Sequence, residues 1–566
     1  MAPSDRSLDA HSWLVVITFM IVIVIVIHPI RIPFPIPSRQ KTKFPYHFTL
    51  DIATAPVIGV LFLLATGSID GESVQDGIIG EPTSGIEPYA VMILFFSLAY
   101  ICISLDMTGA LQYAAFWISK RGGGGGQRIF LYFFLLSTIM SGLTSNDVVI
   151  LTMTPFLVYF SRAVDLHTPV AFLMAEVQTA NIASMALYIG NLTNVVACQA
   201  YKVSFLEYSA WMLIPTVFSV AACYIMLRIN FRNEKYIPKT VKSPDVDPRS
   251  CLIDPFGAIF GLCVLACSLI CLIGTSFAHV SVWTVTGPFA LLTLCRDILY
   301  DYQGKFKGLQ AASLIQPDKG TAGEDDVTAA KGPHETGGVE SRIEQGLPED
   351  SLANERCALP SQQNTGATAT ATNIEESALK PRKMHRKIKG PISKFERRFP
   401  LLHAIAIRMP WAILPFTFSM FIMVEGLSDS GWIAIFANWA TKLVPNYIVA
   451  TYAIGFVSVL LCNIFNNVPM TILVARILQH PNFVNSPLAT PEVVKGCLFA
   501  LVVGSNLGAC TTLISSLAGL MWDSVLRSKN SGVGFWNFFK WNMGVMPMVI
   551  FTALSVVVVE LTVVYR

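Results

Sequence analysis

The sequence predicts an all-α polytopic membrane protein. It reads as two inverted repeats, each with a re-entrant helical hairpin and a discontinuous transmembrane helix, about ten spanning helices in all plus two hairpins. Three observations predict this. The chain is 53% hydrophobic and 14% charged, where soluble domains carry about 25% charged residues. Its apolar residues fall in runs long enough to cross the hydrocarbon as helices, which takes about 18 or more. Several of these runs are broken by polar clusters that recur at matching places in the two halves of the chain.

The uninterrupted runs are residues 13–30, 205–227, 256–275, 404–424 and 538–559. The first is followed by basic residues, Arg31, Arg39, Lys41 and Lys43, and reads as a retained signal-anchor. Short cytoplasmic loops are rich in Lys and Arg, so this flank is placed inside. Asp70, Glu72, Asp76, Glu81 and Glu87 lie in a connection without Lys or Arg, placed outside. Lys120, Arg121 and Arg128 are then inside, as are Arg228, Arg232 and Lys235.

Residues 1–300 form an N-terminal transmembrane half, with the first repeat over about 50–230. Residues 301–400 are polar and poor in aromatics. Such a segment buries too little apolar area to offset its ordering entropy, so it reads as a disordered cytoplasmic loop. Its end is basic, from Lys380 to Arg398. That fits a positive-inside anchor beside the next helix, or a surface for anionic lipid or a regulatory partner. Residues 401–566 form the C-terminal transmembrane part, with the second repeat starting at about 281.

Several classes are excluded or disfavoured. The twelve cysteines are scattered without a CxxC, so neither a disulfide framework nor a zinc site is indicated. The glycine run 122–126 is not followed by Lys-Ser/Thr, and GxxxxGK[ST] occurs nowhere, so the chain is not its own ATPase. No metal cluster such as HExxH appears, no cofactor is called for, and nothing points to nucleic acid. A membrane-embedded enzyme would need a nucleophile–base set that is not visible.

The internal repeat points to transport. LDMTGAL at 105–111 resembles LSDSGWI at 427–433. A short helix with a Trp and a Lys follows in each case, Trp117 and Lys120, then Trp439 and Lys442. Next comes an apolar run broken by an Asn cluster: Ser145, Asn146 and Asp147 in the first half, Asn463, Asn466 and Asn467 in the second. Then Asn181 precedes Gly190, Asn191, Thr193 and Asn194, as Ser505 and Asn506 precede Thr511, Thr512, Ser515 and Ser516. Non-helical backbone at membrane depth is tolerated only against protein or a wet cavity. Residues 129–160 and 447–478 therefore read as re-entrant hairpins with polar tips, and 170–199 and 494–526 as discontinuous helices. Two tips and two breaks converge on one substrate and ion site, the plan of many secondary transporters. A single Asn or Ser in a membrane helix is more often packing glue; four matched clusters are harder to read that way.

The strings SNDVVILTMTPFLV, NIASMALYIGNLTNVV and SFLEYSAWMLIP resemble the arsenical-pump membrane protein (ArsB-type) family. NNVPMTILVARIL and GSNLGACTTLISSLAGLMWDSVL are similar to its second repeat. The resemblance covers nearly all of the chain outside the central insert and implies the ion-transporter superfamily fold. It also implies export of a neutral or anionic oxyacid such as arsenite or antimonite in exchange for protons, by a homodimer in a plasma or vacuole-like membrane. Relatives on this fold include sodium–carboxylate, sodium–proton and silicate transporters, and an anion channel is a further alternative. The chain departs from the family pattern at Asn181–Ser184, where an Asp-Thr-Ala-Ser string is expected, and at Cys510–Leu513, where a Lys-x-Thr-Pro string is expected. Both departures bear on the substrate.

Among the intramembrane charges, Asp147 is read as a proton or substrate ligand, or as a cap on the hairpin's second helix. Glu176 is read as a second proton-carrier candidate, or as facing a wet edge. Glu425 reads as interfacial. Arg476 either snorkels outward or balances a carboxylate. Cys263, Cys267 and Cys271 share one helix face, but the ends of that row are about 12 Å apart by the 1.5 Å rise. One thiophilic atom cannot bridge all three. Cys198, Cys462 and Cys510 lie nearer the breaks.

Overall fold

The computed structural model describes residues 8–34, 46–81, 85–164, 166, 168–241, 247–278, 280–304 and 391–566. Arg39, Lys41, Lys43 and most of the central polar segment, read above as disordered, lie outside these.

The first apolar run becomes helix α1 (Ala10–Ile27), started by Asp9, whose carboxylate accepts from the Ser12 N–H. It has Trp13, Ile21 and Val24 half-exposed on one side and Val15 and Phe19 buried on the other, as suits a helix between lipid and protein. Strands β1 (Ile30–Phe34) and β2 (Tyr46–Leu50) follow as an antiparallel pair, with Ile30 opposite Leu50. Then come α2 (Thr54–Ala65), α3 (Gly71–Ile79), α4 (Pro88–Met107) and α5 (Ala110–Arg121). Asp70 caps α3 by accepting from Ser73 N–H at 2.9 Å, which holds its carboxyl below the usual range.

The first hairpin is α6 (Gly126–Leu143) and α7 (Asn146–Ala163). The first broken helix is α8 (Val170–Ala183) and α9 (Leu192–Ala200). Helices α10 (Phe205–Asn230), α11 (Pro255–Ser276) and α12 (Val282–Tyr302) complete this half. After the undescribed stretch come α13 (Pro391–Arg398), α14 (Pro400–Arg408), α15 (Ile413–Asp429) and α16 (Trp432–Thr441). The second hairpin is α17 (Tyr447–Phe465) and α18 (Asn467–Gln479). A short α19 (Pro481–Val484) leads to the second broken helix, α20 (Pro491–Gly508) and α21 (Leu517–Ser528), and then α22 (Phe535–Met543) and α23 (Met546–Val564).

Two expected continuous runs are in fact divided. Residues 404–424 split at Met409 and Pro410, because proline donates no N–H to continue α14. Residues 538–559 split at Gly544, with Pro547 in the first turn of α23. Among the described residues, nine helical segments are long and apolar enough to cross a membrane. Two of these, α6 and α17, are hairpin arms. The protein is a multi-pass integral membrane protein.

The second half repeats the order of the first: α4–α5, hairpin, broken helix, α10 against α15–α16, hairpin, broken helix, α23. The turns before α5 and α16 match in detail. Gly109 and Gly431 both take the left-handed conformation, at φ +83° and +84°. The halves run in opposite senses. The C-terminal ends of α8 and α20 meet, with Ser184 Oγ donating to Asn506 Oδ1 at 3.1 Å. Hairpin one ends beside the end of α21, where Arg162 donates to the Ser531 hydroxyl at 3.4 Å. Hairpin two ends beside the end of α9, where Gln479 donates to the Ala200 carbonyl. The first arm of each hairpin packs along the first part of its broken helix, α6 on α8 and α17 on α20. The second contact is close: a Cβ on Gly504 would lie 2.4 Å from Ser458 Cβ.

A buried polar network joins α4, α12 and α14. Asp297 accepts from Ser104 at 2.7 Å, Tyr100 at 3.0 Å and Arg296 at 2.9 Å. Arg408 pairs with Asp106 at 2.7 Å. Asp301 accepts from the N–H groups of Leu401 and Leu402 at 3.1 and 3.0 Å. It so caps α14 across the long insert.

Candidate functional site

Four helices begin at the centre of the molecule: α7, α9, α18 and α21. Each is started by a polar side chain that satisfies an otherwise orphaned N–H. Ser145 accepts from Val148 N at 3.4 Å, Asn191 from Thr193 N at 3.3 Å, and Asn466 from Val468 N at 3.5 Å. Ser516 accepts from Gly519 N at 3.0 Å. The tips and breaks thus carry Ser and Asn because a helix starting in the protein interior needs a cap that water cannot supply. Their N-termini bring four positive dipole ends together.

Between them lies a cavity of ≈ 10 Å³, room for about one water. It is lined by Asn146, Asp147, Asn191 and Asn467, and by Leu192, Val468, Leu517 and Ala518. Ile413 and Phe416 of α15 form its remaining wall. The Asp147 carboxylate lies in the first turn of α7 and has no hydrogen-bond partner among the described residues. Ser145, not Asp147, caps that helix.

Two amide oxygens face no partner, Asn146 Oδ1 and Asn467 Oδ1, although both residues are buried. The orientation of Asn146 follows from a chain of donors. Asn181 donates Nδ2 to the Val177 carbonyl at 2.9 Å, so its oxygen must receive Asn146 Nδ2, at 3.0 Å. That leaves the Asn146 oxygen without a partner. The lining therefore combines the four helix N-termini with the Asp147 carboxylate and the Asn146 and Asn467 amides, whose oxygens have no partner. No Lys or Arg lines the cavity.

The other predicted residues hold the breaks in shape. Asn506 is the hub. Its oxygen accepts from Ser184 at 3.1 Å and Asn191 at 2.9 Å, and its nitrogen donates to Asn194 Oδ1 at 2.7 Å. Asn194 donates in turn to the Ser184 and Leu187 carbonyls. Ser505 donates to Thr193 at 3.2 Å. Gly190 sits where a Cβ would be 2.1 Å from the Ser184 carbonyl oxygen. In the second break, Asn463 of α17 accepts from Thr511 at 2.7 Å and Thr512 at 2.8 Å. Ser515 closes the turn by donating to the Thr512 carbonyl, and its own carbonyl accepts from Asn467 N at 2.9 Å. Asn466 donates to the Ile514 carbonyl at 3.2 Å from a backbone at φ +71°.

Charged residues farther out differ from the simplest readings. Glu176 faces no wet edge; it is buried and accepts from Thr154 Oγ1 and Trp522 Nε1, both at 2.9 Å. Glu425, read as interfacial, is enclosed by protein. It is buried against Arg476, at 2.6 Å, and Arg476 also reaches Glu81 at 2.5 Å. Arg476 thus balances carboxylates rather than snorkelling. Cys198, Cys462 and Cys510 are buried but line no part of the central cavity. Ile413 and Phe416 had no sequence signal, since apolar residues in an apolar helix look alike whether they face lipid or a site.

Helix-break-helix pairs in opposite senses, meeting at a polar centre, define a membrane transporter. Comparisons agree. The citrate transporter family model matches residues 42–303, and the arsenical pump membrane protein model matches residues 397–564. An arsenical pump membrane protein of Yersinia enterocolitica is 24% identical over 83% of this chain and 86% of its own. One of Escherichia coli is 23% identical over 91% of this chain and 95% of its own. A solved structure of the Neisseria gonorrhoeae efflux pump MtrF aligns with 98% of this chain and 95% of its own, at 11% identity and a TM-score of 0.44. The chain is thus similar to arsenical pump membrane proteins over most of its length and to the citrate transporter family over its N-terminal half, which are families of transporters and not of enzymes.

Proposed function

We propose that this transporter exports neutral trihydroxy oxyacids of the arsenite and antimonite type in exchange for protons. The observation that carries the reading is the acceptor set at the cavity: Asp147 with the unpartnered oxygens of Asn146 and Asn467. A trihydroxy acid carries three O–H donors, and three acceptors suit it without any cationic side chain once movement of the site block widens the cavity, which as it stands has room for about one water. The curated relatives are named as arsenical pumps, which agrees with this substrate class. Asp147 is the group for exchange of substrate against a proton, because in an enclosed site its charge is costly unless a donor or a proton arrives. Glu176, held by two donors, is the second proton-carrier candidate. The repeats act as a site block moving against a scaffold, within a homodimer.

Everted vesicles containing the protein should take up arsenite when a proton gradient is imposed. Asp147→Asn, which keeps the shape and removes the titratable group, should lose the gradient dependence. Absence of uptake by folded wild-type protein would refute the proposal.

A second reading is supported by the same oxygens. A carboxylate with two amide oxygens is also a ligand set for Na⁺, a hard cation that favours oxygen donors. On that reading the protein is a sodium-coupled carboxylate or Na⁺/H⁺ transporter. Flux that follows a sodium gradient at constant pH would favour it.

A further inference from the structure

Helices α10 and α23 pack together but leave a groove of ≈ 910 Å³ along the outer surface of the bundle. Its walls are apolar: Trp211 and Phe218 from α10, Phe551, Val559 and Val563 from α23. Phe218, Phe551, Val559 and Val563 are all at least half-exposed. In a membrane protein such a surface faces acyl chains, and apolar walls alone would need no explanation.

Glu560 does need one. It lines the groove from α23. Its Oε2 is buried and has no hydrogen-bond partner, and the carboxylate pairs with no cation among the described residues. The two hydroxyl side chains of the groove are satisfied within the protein. Ser555 shares a hydrogen bond with Tyr452 at 2.7 Å, and Thr552 donates to the Met548 carbonyl at 2.8 Å. The nearby Lys495 is engaged by Glu207. Glu560 therefore presents an acceptor to whatever lies in the groove. It stands four residues before the end of α23, about 6 Å along the helix by the 1.5 Å rise.

We propose that this groove is a binding site for an aminophospholipid, with the acyl chain along the apolar walls and the primary ammonium donating to Glu560. Charge complementarity selects this occupant. A buried carboxylate on a lipid-facing surface is met best by a group that carries both a positive charge and N–H donors. A choline headgroup has the charge without the donors, and a glycerol headgroup has the donors without a positive charge.

The test is native mass spectrometry of the purified full chain titrated with phosphatidylethanolamine, phosphatidylcholine or phosphatidylglycerol of identical chains. Wild type should retain one phosphatidylethanolamine per chain roughly tenfold better than phosphatidylcholine, the gain of a charged hydrogen bond. Glu560→Gln should lose that preference. Val563→Trp, which fills the groove and keeps the carboxylate, should lower binding of the lipid itself, so the test does not hang on one variant folding. Equal retention of the three lipids by wild type, or an unchanged preference in Glu560→Gln, overturns the site. So does a shift from dimer to monomer in Glu560→Gln with lipid retention unaltered, since the groove would then be a face between two copies of the chain.

Discussion

The Asn residues of this protein perform different tasks, and mutation separates them. Asn146 and Asn467 face the cavity with unused oxygens, whereas Asn506 spends its whole amide on other side chains and backbone. Asn467→Ala is expected to abolish transport in vesicles while thermal unfolding in detergent shifts little; Asn146→Ala should abolish transport too but also lower stability, because it strands the buried Asn181 oxygen. Asn506→Ala should lower stability itself. It strands the Asn191 amide and the Asn194 oxygen, each at a cost of about 1–3 kcal/mol. A variant of Asn506 as stable as wild type would contradict the hub. Arg476 is a second case. Its removal leaves Glu425 buried beside Glu81, and breaking a buried pair typically costs about 3–5 kcal/mol. Arg476→Met should unfold at a lower temperature, and adding Glu425→Gln should restore much of the loss.

At the scale of elements, the hairpins and breaks were legible because a polar cluster in an apolar run is costly unless it serves something. The expected first hairpin, 129–160, lies inside the observed α6–α7 pair, and the expected break at Asn466 is the observed one. What such clusters did not reveal is the division of labour. Caps, cross-links and cavity-lining amides draw on the same residue types, and only the partners tell Ser145 from Asn146. The β1–β2 pair was not legible. Its first strand is rich in Ile, with Pro33 inside it, and it lies directly beyond a long apolar run. Glycine at the α17–α20 contact makes an element-scale prediction. Gly504→Val would drive its side chain into Ser458 and part the hairpin from its broken helix. Loss of the monodisperse folded peak in size-exclusion chromatography is expected for Gly504→Val, and far less for Gly274→Val, which meets nothing within 4 Å.

For the whole molecule, the two repeats are alike in plan but not in how their centres are held. The second break is closed from within its own half, by Asn463. The first is closed by Asn194 of its own half, but its Ser184, Asn191 and Asn194 side chains are pinned from the other half, by Asn506. The two repeats are therefore unequal as independent polypeptides. If the chain is severed within residues 318–390, the C-terminal piece carries everything its own break requires, while the N-terminal piece lacks its central pin. Expressed alone, residues 1–317 should be degraded or protease-sensitive around 184–194, and co-expression with residues 391–566 should rescue them. The converse dependence should be weaker. In assembly, then, the later-made half is a template for the earlier one, and the long connection between them sets how soon after synthesis that template arrives.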